Sequence, residues 1–256
     1  MTHRVSTIWR ALRTGAAFAV FGAGSLLLAL VVIPLSRLAS ASQARDLRAQ
    51  RLIHTGFRCF RWYMVRTGLM TVSETGTERL RRGGPLLVVA NHPTLLDAVI
   101  LGSILPQVDC IVGAAHADNP AMRRTAALAG YIRNDGGAAV VEECARRLRA
   151  GRSVLVFPEG TRSPRRGLRP FRRGAAHVAL ATGSELLPVV LSCEPPTLMK
   201  GQPWYDVPDR PFHIDVRVEE PVSPKPYLDS SEPTPILARR LTSELRETFI
   251  KRMERG

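Results

Sequence analysis

The stretch Pro85-Leu-Leu-Val-Val-Ala-Asn-His-Pro-Thr-Leu-Leu-Asp97 constrains this chain more than any other. Leu86 to Ala90 is apolar and β-branched and reads as a buried strand. Asn91-His92-Pro93 breaks it. Pro93 suits the first position of a helix, where its missing N–H costs nothing. Thr94 to Leu105 is therefore expected to be helical, with Asp97 about one turn in. That places His92 at the C-terminal end of a strand, the edge where open α/β sheets carry their chemistry. A neutral imidazole accepts protons well near its ordinary pKa of about 6.5. A carboxylate on the other ring nitrogen fixes the tautomer and stabilises the imidazolium. With six histidines and nine aspartates in 256 residues, chance alone supplies about 0.2 such pairs, so the pair does not decide by itself. A histidine capping a turn and an aspartate in a helix's first turn would look the same.

A second stretch adds to it. Ser153 to Phe157 is another apolar strand, and it runs into Pro158-Glu159-Gly160-Thr161-Arg162-Ser163. One turn then holds a carboxylate, a permissive glycine, a hydroxyl and a guanidinium. Gly160 lets backbone N–H groups approach an anion. Arg162 suits bidentate recognition of phosphate. Glu159 can hold the arginine or accept a hydrogen bond from a substrate hydroxyl.

In this order the two stretches resemble the glycerolipid acyltransferases, the family of the 1-acylglycerol-3-phosphate acyltransferases. The family pattern is Asn-His-x4-Asp, an arginine-bearing segment, Phe-Pro-Glu-Gly-Thr-Arg-Ser, and an apolar stretch with a proline. Asn91 to Asp97, the neighbourhood of Arg133, Phe157 to Ser163, and Leu186 to Leu191 correspond. The second block departs from the pattern. Tyr131-Ile-Arg-Asn134 has arginine one place early and asparagine where arginine is usual. The resemblance implies a His92–Asp97 dyad, substrate contacts from Arg133, Glu159, Gly160, Thr161 and Arg162, and backbone amides around Gly160 for an oxyanion or phosphate. It implies no cofactor or metal. Acyl-CoA or an acyl carrier protein would be co-substrate, and a lysophospholipid, first of all lysophosphatidic acid, the acceptor. Another lipid acceptor, in a specialised pathway, is the alternative. A different class is a non-enzymatic basic membrane-binding protein. An esterase finds no Gly-x-Ser-x-Gly elbow.

The flanks bear on location. A net charge of +14 draws anions, among them lipid headgroups, phosphorylated substrates and nucleic acid; with this family, the expected partners are membrane lipids and not nucleic acid. Thr14 to Ser36 carries no charge, and Ala16 to Leu35 would span about 30 Å as a helix. Its length argues against a signal peptide, and its apolarity all round argues against a soluble core helix. Arginines flank both ends, so orientation is open, and an in-plane anchor or hairpin fits as well as a span. Residues 42–70 mix Phe57, Phe60, Trp62 and Tyr63 with Arg58, Arg61 and Arg66, as at a membrane interface or on a packed helix with a basic face. Cys59, Cys110, Cys144 and Cys193 are dispersed and read as reduced core residues of a cytosol-facing protein. The expected place is the inner membrane with the site facing the cytoplasm.

Strands are expected at Val72 to Gly76, Cys110 to Gly113, Gly130 to Ile132, Leu186 to Leu191 and Phe212 to Val218. Helices are expected at Asn119 to Ala129 with Asn119 as cap, Val140 to Ala150, and Ala175 to Thr182. Pro164 to Gly174 is a dense basic loop, and residues 194–208 are a long loop with a Trp-Tyr pair that suits a lid or packing equally. Residues 221–235 read as a linker, followed by an amphipathic helix from Ile236 to Met253. The fold class is α/β: a mixed, largely parallel sheet covered by helices. Three parts are expected: a membrane-associated helical segment over 1–70, an acyltransferase α/β domain over 71–222, and a linker with a terminal helix over 223–256.

Overall fold

The computed structural model describes residues 2–38, 45–81, 84–113 and 120–254. Seven strands, β1 (Met70–Thr75), β2 (Leu87–Ala90), β3 (Asp109–Gly113), β4 (Ile132–Asn134), β5 (Val154–Val156), β6 (Leu186–Glu194) and β7 (Phe212–Val218), form one sheet in the order β1-β7-β6-β2-β5-β3-β4. Only the β6–β7 pair is antiparallel. The expected mixed, largely parallel sheet is present.

Successive side chains on a strand point to opposite faces. Val88 and Ala90 face one core, with α4 (Asp97–Ile104) behind them, while Leu87 and Val89 face the other. The second core is closed by α6 (Ala138–Arg149), α7 (Gly174–Thr182) and α9 (Thr234–Met253), through residues such as Leu148, Val178, Leu241 and Phe249. Cover on both faces is why β2 and β5 read as unbroken apolar runs. Each fully buried Val or Leu contributes about 1.5–3 kcal/mol. β7 follows Phe212 to Val218 as expected, alternately buried and half-buried.

On the first face, α3 (Arg45–Arg66) lies against α4. The approach is close at Gly102: a Cβ there would stand 2.6 Å from a ring carbon of Phe57. His54 Nδ1 donates to the Gly102 carbonyl at 2.8 Å. Gln50, also on α3, donates from Nε2 to Asp109 (2.8 Å) and to the Ala129 carbonyl (3.0 Å). Asp109 is fully buried at the start of β3 and is also held by Arg152 Nε at 2.7 Å. Outside α3 runs α1 (Thr2–Leu27), whose Phe21 packs on Phe57 and Phe60. A π turn over Leu28–Val32 leads into α2 (Ile33–Leu38). Pro34 has no N–H for the Leu30 carbonyl and its ring crowds that turn, which accounts for the widening. Trp9–Leu35, 27 residues, is long and apolar enough to cross a membrane.

Several expectations shift. The helix after β2 begins at Asp97 and not at Thr94, because the Asp97 carboxylate accepts the Thr94 N–H (2.8 Å) and holds residues 94–96 as a turn. Tyr131 precedes β4, which runs on into Asn134. The expected linker contains a short helix, α8 (Lys225–Leu228), and Val222 bridges to Leu186. Cys59 is exposed, not core, although all four thiols are free. α5 (Pro120–Leu128) occupies the region expected to be helical. Asn119, its expected cap, lies outside the described residues, as do residues 42–44 of the second helical stretch.

Candidate active site

β2 and β5 are neighbours, with Leu87 beside Val154 and Val89 beside Val156. The chain leaves them in opposite directions. From β2 it crosses by α4 on the first face to β3; from β5 it crosses by α7 on the second face to β6. A crevice therefore opens at their C-terminal ends, the switch point where open sheets bind ligands. His92 follows β2 and Glu159 follows β5, so both expected turns meet there.

The His92 ring is set by two contacts. Nδ1 lies 2.7 Å from Asp97 Oδ2, and the ring stacks on Phe157 with centroids 4.4 Å apart. Asp97 is fully buried. Burial pushes its carboxyl above the ordinary range, while the His92 contact and the Thr94 N–H work against that rise. Its Oδ1 and the Thr94 hydroxyl are buried without a hydrogen-bond partner. An ionised carboxylate only accepts, so Nδ1 carries the proton and Nε2 keeps its lone pair.

Glu159, buried, is spent on the turn itself. Oε1 accepts from Ser163 Oγ (2.5 Å) and from the His92 N–H (3.3 Å), and Oε2 accepts from the Arg169 N–H (2.8 Å). Ser163 completes the lock: its N–H donates to the His92 carbonyl at 2.7 Å. Gly160 has φ +68°, a conformation that favours glycine, and a Cβ there would also push against the Arg172 guanidinium at 2.7 Å. Its own N–H is used by the Phe157 carbonyl (3.0 Å). Among the described residues the amides of Thr161 and Arg162, and the Thr161 hydroxyl, donate to no protein acceptor.

Arg162 does not pair with Glu159. Its Nη1 donates to the carbonyls of Leu198 (2.8 Å) and Met199 (3.0 Å), and burial pulls the guanidinium below its ordinary value. Arg133 stands apart. It lies on β4, on the same edge but three strands from β2, roughly 14 Å at about 4.8 Å per strand. Its Nε donates to Asp135 at 2.6 Å. The structure thus gathers His92, Asp97, Glu159, Gly160, Thr161 and Arg162, and leaves Arg133 at the rim.

Asn91 and Ser163 stand in the two motifs and Arg169 in the basic loop, but the part each plays here was not legible in the sequence. Asn91 acts as a strand extension, donating from Nδ2 to the Leu191 carbonyl (2.8 Å) and accepting the Leu191 N–H on Oδ1 (2.7 Å). Ser163 and the Arg169 backbone close the turn. Contacts between neighbouring strands reveal the parts of Asn91 and Ser163, and a contact within its own loop that of Arg169.

This edge, with a histidine–carboxylate pair beside a Glu-Gly-Thr-Arg turn, lies within residues 71–192, which match the acyltransferase family model. Over these residues the chain is similar to the acyltransferases, and several of the relatives it matches are 1-acyl-sn-glycerol-3-phosphate acyltransferases. It is 34% identical over 178 residues to the 1-acyl-sn-glycerol-3-phosphate acyltransferase of Saccharomyces cerevisiae, covering 65% of this chain and 56% of that protein. It is 29% identical over 170 residues to the lyso-ornithine lipid O-acyltransferase of Pseudomonas aeruginosa, covering 65% and 66%. The chain spans about half the length of the curated relatives it matches first. The fold matches the crystal structure of the 1-acyl-sn-glycerophosphate acyltransferase of Thermotoga maritima, with a TM-score of 0.67 over 96% of this chain and 97% of that one, at 18% identity.

Proposed function

We propose that the protein is a membrane-bound O-acyltransferase that moves an acyl group from a thioester to the hydroxyl of a lysophospholipid, in the first instance 1-acylglycerol-3-phosphate. The observation that carries this is the 2.7 Å His92–Asp97 contact, held beside the Glu159–Ser163 turn. His92 Nε2 takes the proton of the acceptor hydroxyl. The oxygen attacks the thioester carbonyl, and the tetrahedral intermediate collapses as the C–S bond breaks. The imidazolium returns its proton to the leaving thiolate, so the histidine ends as it began. Asp97 keeps the ring in its productive tautomer. The amides of Thr161 and Arg162 are free to meet the oxyanion, a part that Gly160's own amide cannot take. Glu159 acts as a positioning residue, Thr161 and the remaining donors of Arg162 face the acceptor, and Arg133 reaches its phosphate only from the rim. The donor is acyl-CoA or an acyl carrier protein.

A bilayer supplies the acceptor. α1 packs on α3, and α3 on α4, so α1 runs along the domain rather than away from it. α1 exposes Leu12, Val20 and Leu26, and the π turn and α2 that continue it expose Leu30 and Leu35. That geometry favours an in-plane anchor on the cytoplasmic face of the inner membrane over a span.

One observation favours a second acceptor class. The Arg133 block departs from the phosphate-binding pattern, and a relative of similar identity acylates a lyso-ornithine lipid. Membranes containing the protein, given either thioester donor and a panel of lysolipids, decide between them. Transfer to a phosphate-bearing acceptor supports the first reading, and transfer to a phosphate-free one the second. Absence of transfer with every pair contradicts both.

A further inference from the structure

Residues 194–208 read in sequence as a long loop, either a lid or packing. In the structure they form a strap joining the catalytic turn to α1. At one end the Leu198 carbonyl accepts from the Leu95 N–H (3.1 Å) and from Arg162 Nη1 (2.8 Å), which also reaches the Met199 carbonyl. Leu198 is buried and held at φ +53°, a conformation rare outside glycine, so the grip on this end is firm. Gln202 braces the middle, accepting the Met199 N–H at 3.0 Å and donating to the Asp206 carbonyl at 3.1 Å. At the other end the Trp204 ring lies on Gly15 of α1, where a Cβ would stand only 3.2 Å from it, and 6.0 Å from Phe18.

Trp204 is nonetheless 47% exposed, and Tyr205, edge-on to it at 5.7 Å, is 63% exposed. Neither covers the domain core. Trp204 sits on Gly15, in the N-terminal part of α1's apolar stretch, and at the start of that stretch the Trp9 ring carries the Arg13 guanidinium at 5.0 Å. Aromatic rings with a polar edge, next to arginines and at the end of an exposed apolar helix face, have the composition of a membrane interface. The basic net charge matches an anionic lipid surface.

We infer that Trp204 and Tyr205 are seated in the headgroup layer of a phospholipid bilayer, and that the strap, gripped by Arg162, sets the depth of the catalytic turn against that layer. Arg162 is thus a positioning residue for the site as well as a donor within it. The inference rests on the reading of α1 as a membrane anchor, and it is independent of the acyl-transfer chemistry.

The test uses the full chain with Trp9→Phe and Trp62→Phe, leaving Trp204 as the sole tryptophan. It is added to phosphatidylcholine–phosphatidylglycerol vesicles whose chains are brominated either close to the headgroup or close to the terminal methyl. The expected result is a blue shift of Trp204 emission and stronger quenching by the shallow bromines. Arg162→Ala is expected to weaken both, with the far-ultraviolet spectrum unchanged; Arg162→Gln takes its place if the alanine variant does not fold. Chains that float with vesicles while Trp204 stays unshifted and unquenched overturn the strap. An Arg162 variant with an unaltered quenching profile overturns its grip. Chains that do not float at all overturn the anchor reading and the strap with it, whatever the transfer assay shows.

Discussion

Asp97 sets the most informative conflict in the molecule. It is buried with one oxygen unpartnered, yet the chemistry needs it ionised. A carboxyl whose folded-state value lies above its unfolded one keeps a proton that the unfolded chain has lost. The carboxyl therefore costs stability as pH climbs from the ordinary 3.8 through the raised folded value. Asp97→Asn removes that titration while keeping the shape. Its melting temperature should gain on the wild type as pH rises past that window, while kcat falls by about 10³–10⁴ as the tautomer is lost. A wild type that gains on the variant with rising pH would contradict this. Asn91→Ala tests a different role. It leaves the Leu191 N–H and carbonyl unpaired in a buried ladder, so unfolding by denaturant should show a loss of about 2 kcal/mol or more. His92 and Asp97 stood out as a candidate pair because a strand-breaking turn and a nearby carboxylate are local, though the Glu159 turn was needed to single them out. The part Asn91 plays did not stand out, since its partner is a hundred residues away.

At the scale of elements, the wholly apolar runs β2 and β5 and the alternating β7 were legible because burial is written in their period. Which strand lies beside which was not. Nothing local says that β5 slots between β2 and β3, and that insertion is what brings Glu159 to His92. The start of α4 was misjudged for a related reason. Pro93 favours a helix start, but the Asp97 carboxylate holds Thr94's N–H in a turn instead. Asp109 was also silent in sequence. Buried at the head of β3, it ties α3 through Gln50 and α6 through Arg147. Removing one partner from such a cluster strands the others' charge. Asp109→Ala should cost about 3–5 kcal/mol in chemical denaturation. Combined with Gln50→Ala, the loss should be less than the sum of the two, since they share one interaction. Strict additivity would show that the α3 contact is independent.

Across the whole molecule, the His92 and Glu159 turns meet at one edge of the sheet. The second face is closed by α6, α7 and α9, and the first carries α3 and α1 with their aromatic and basic surface. Binding to anionic vesicles should weaken as salt rises, since the Debye length drops to about 3 Å at 1 M. It should not vanish, because α1's apolar side remains; complete release at high salt in a flotation assay would argue for a purely electrostatic contact. Sequence made the apolar helix visible but not its attitude, which depends on α1 packing along α3. The most direct test of the central claim is lipid mass spectrometry of cells expressing the wild type or His92→Ala at matched levels. The account predicts a phospholipid or related lipid that gains an acyl chain with the wild type and returns to the background level with the variant. Equal amounts of that product from both proteins would contradict it.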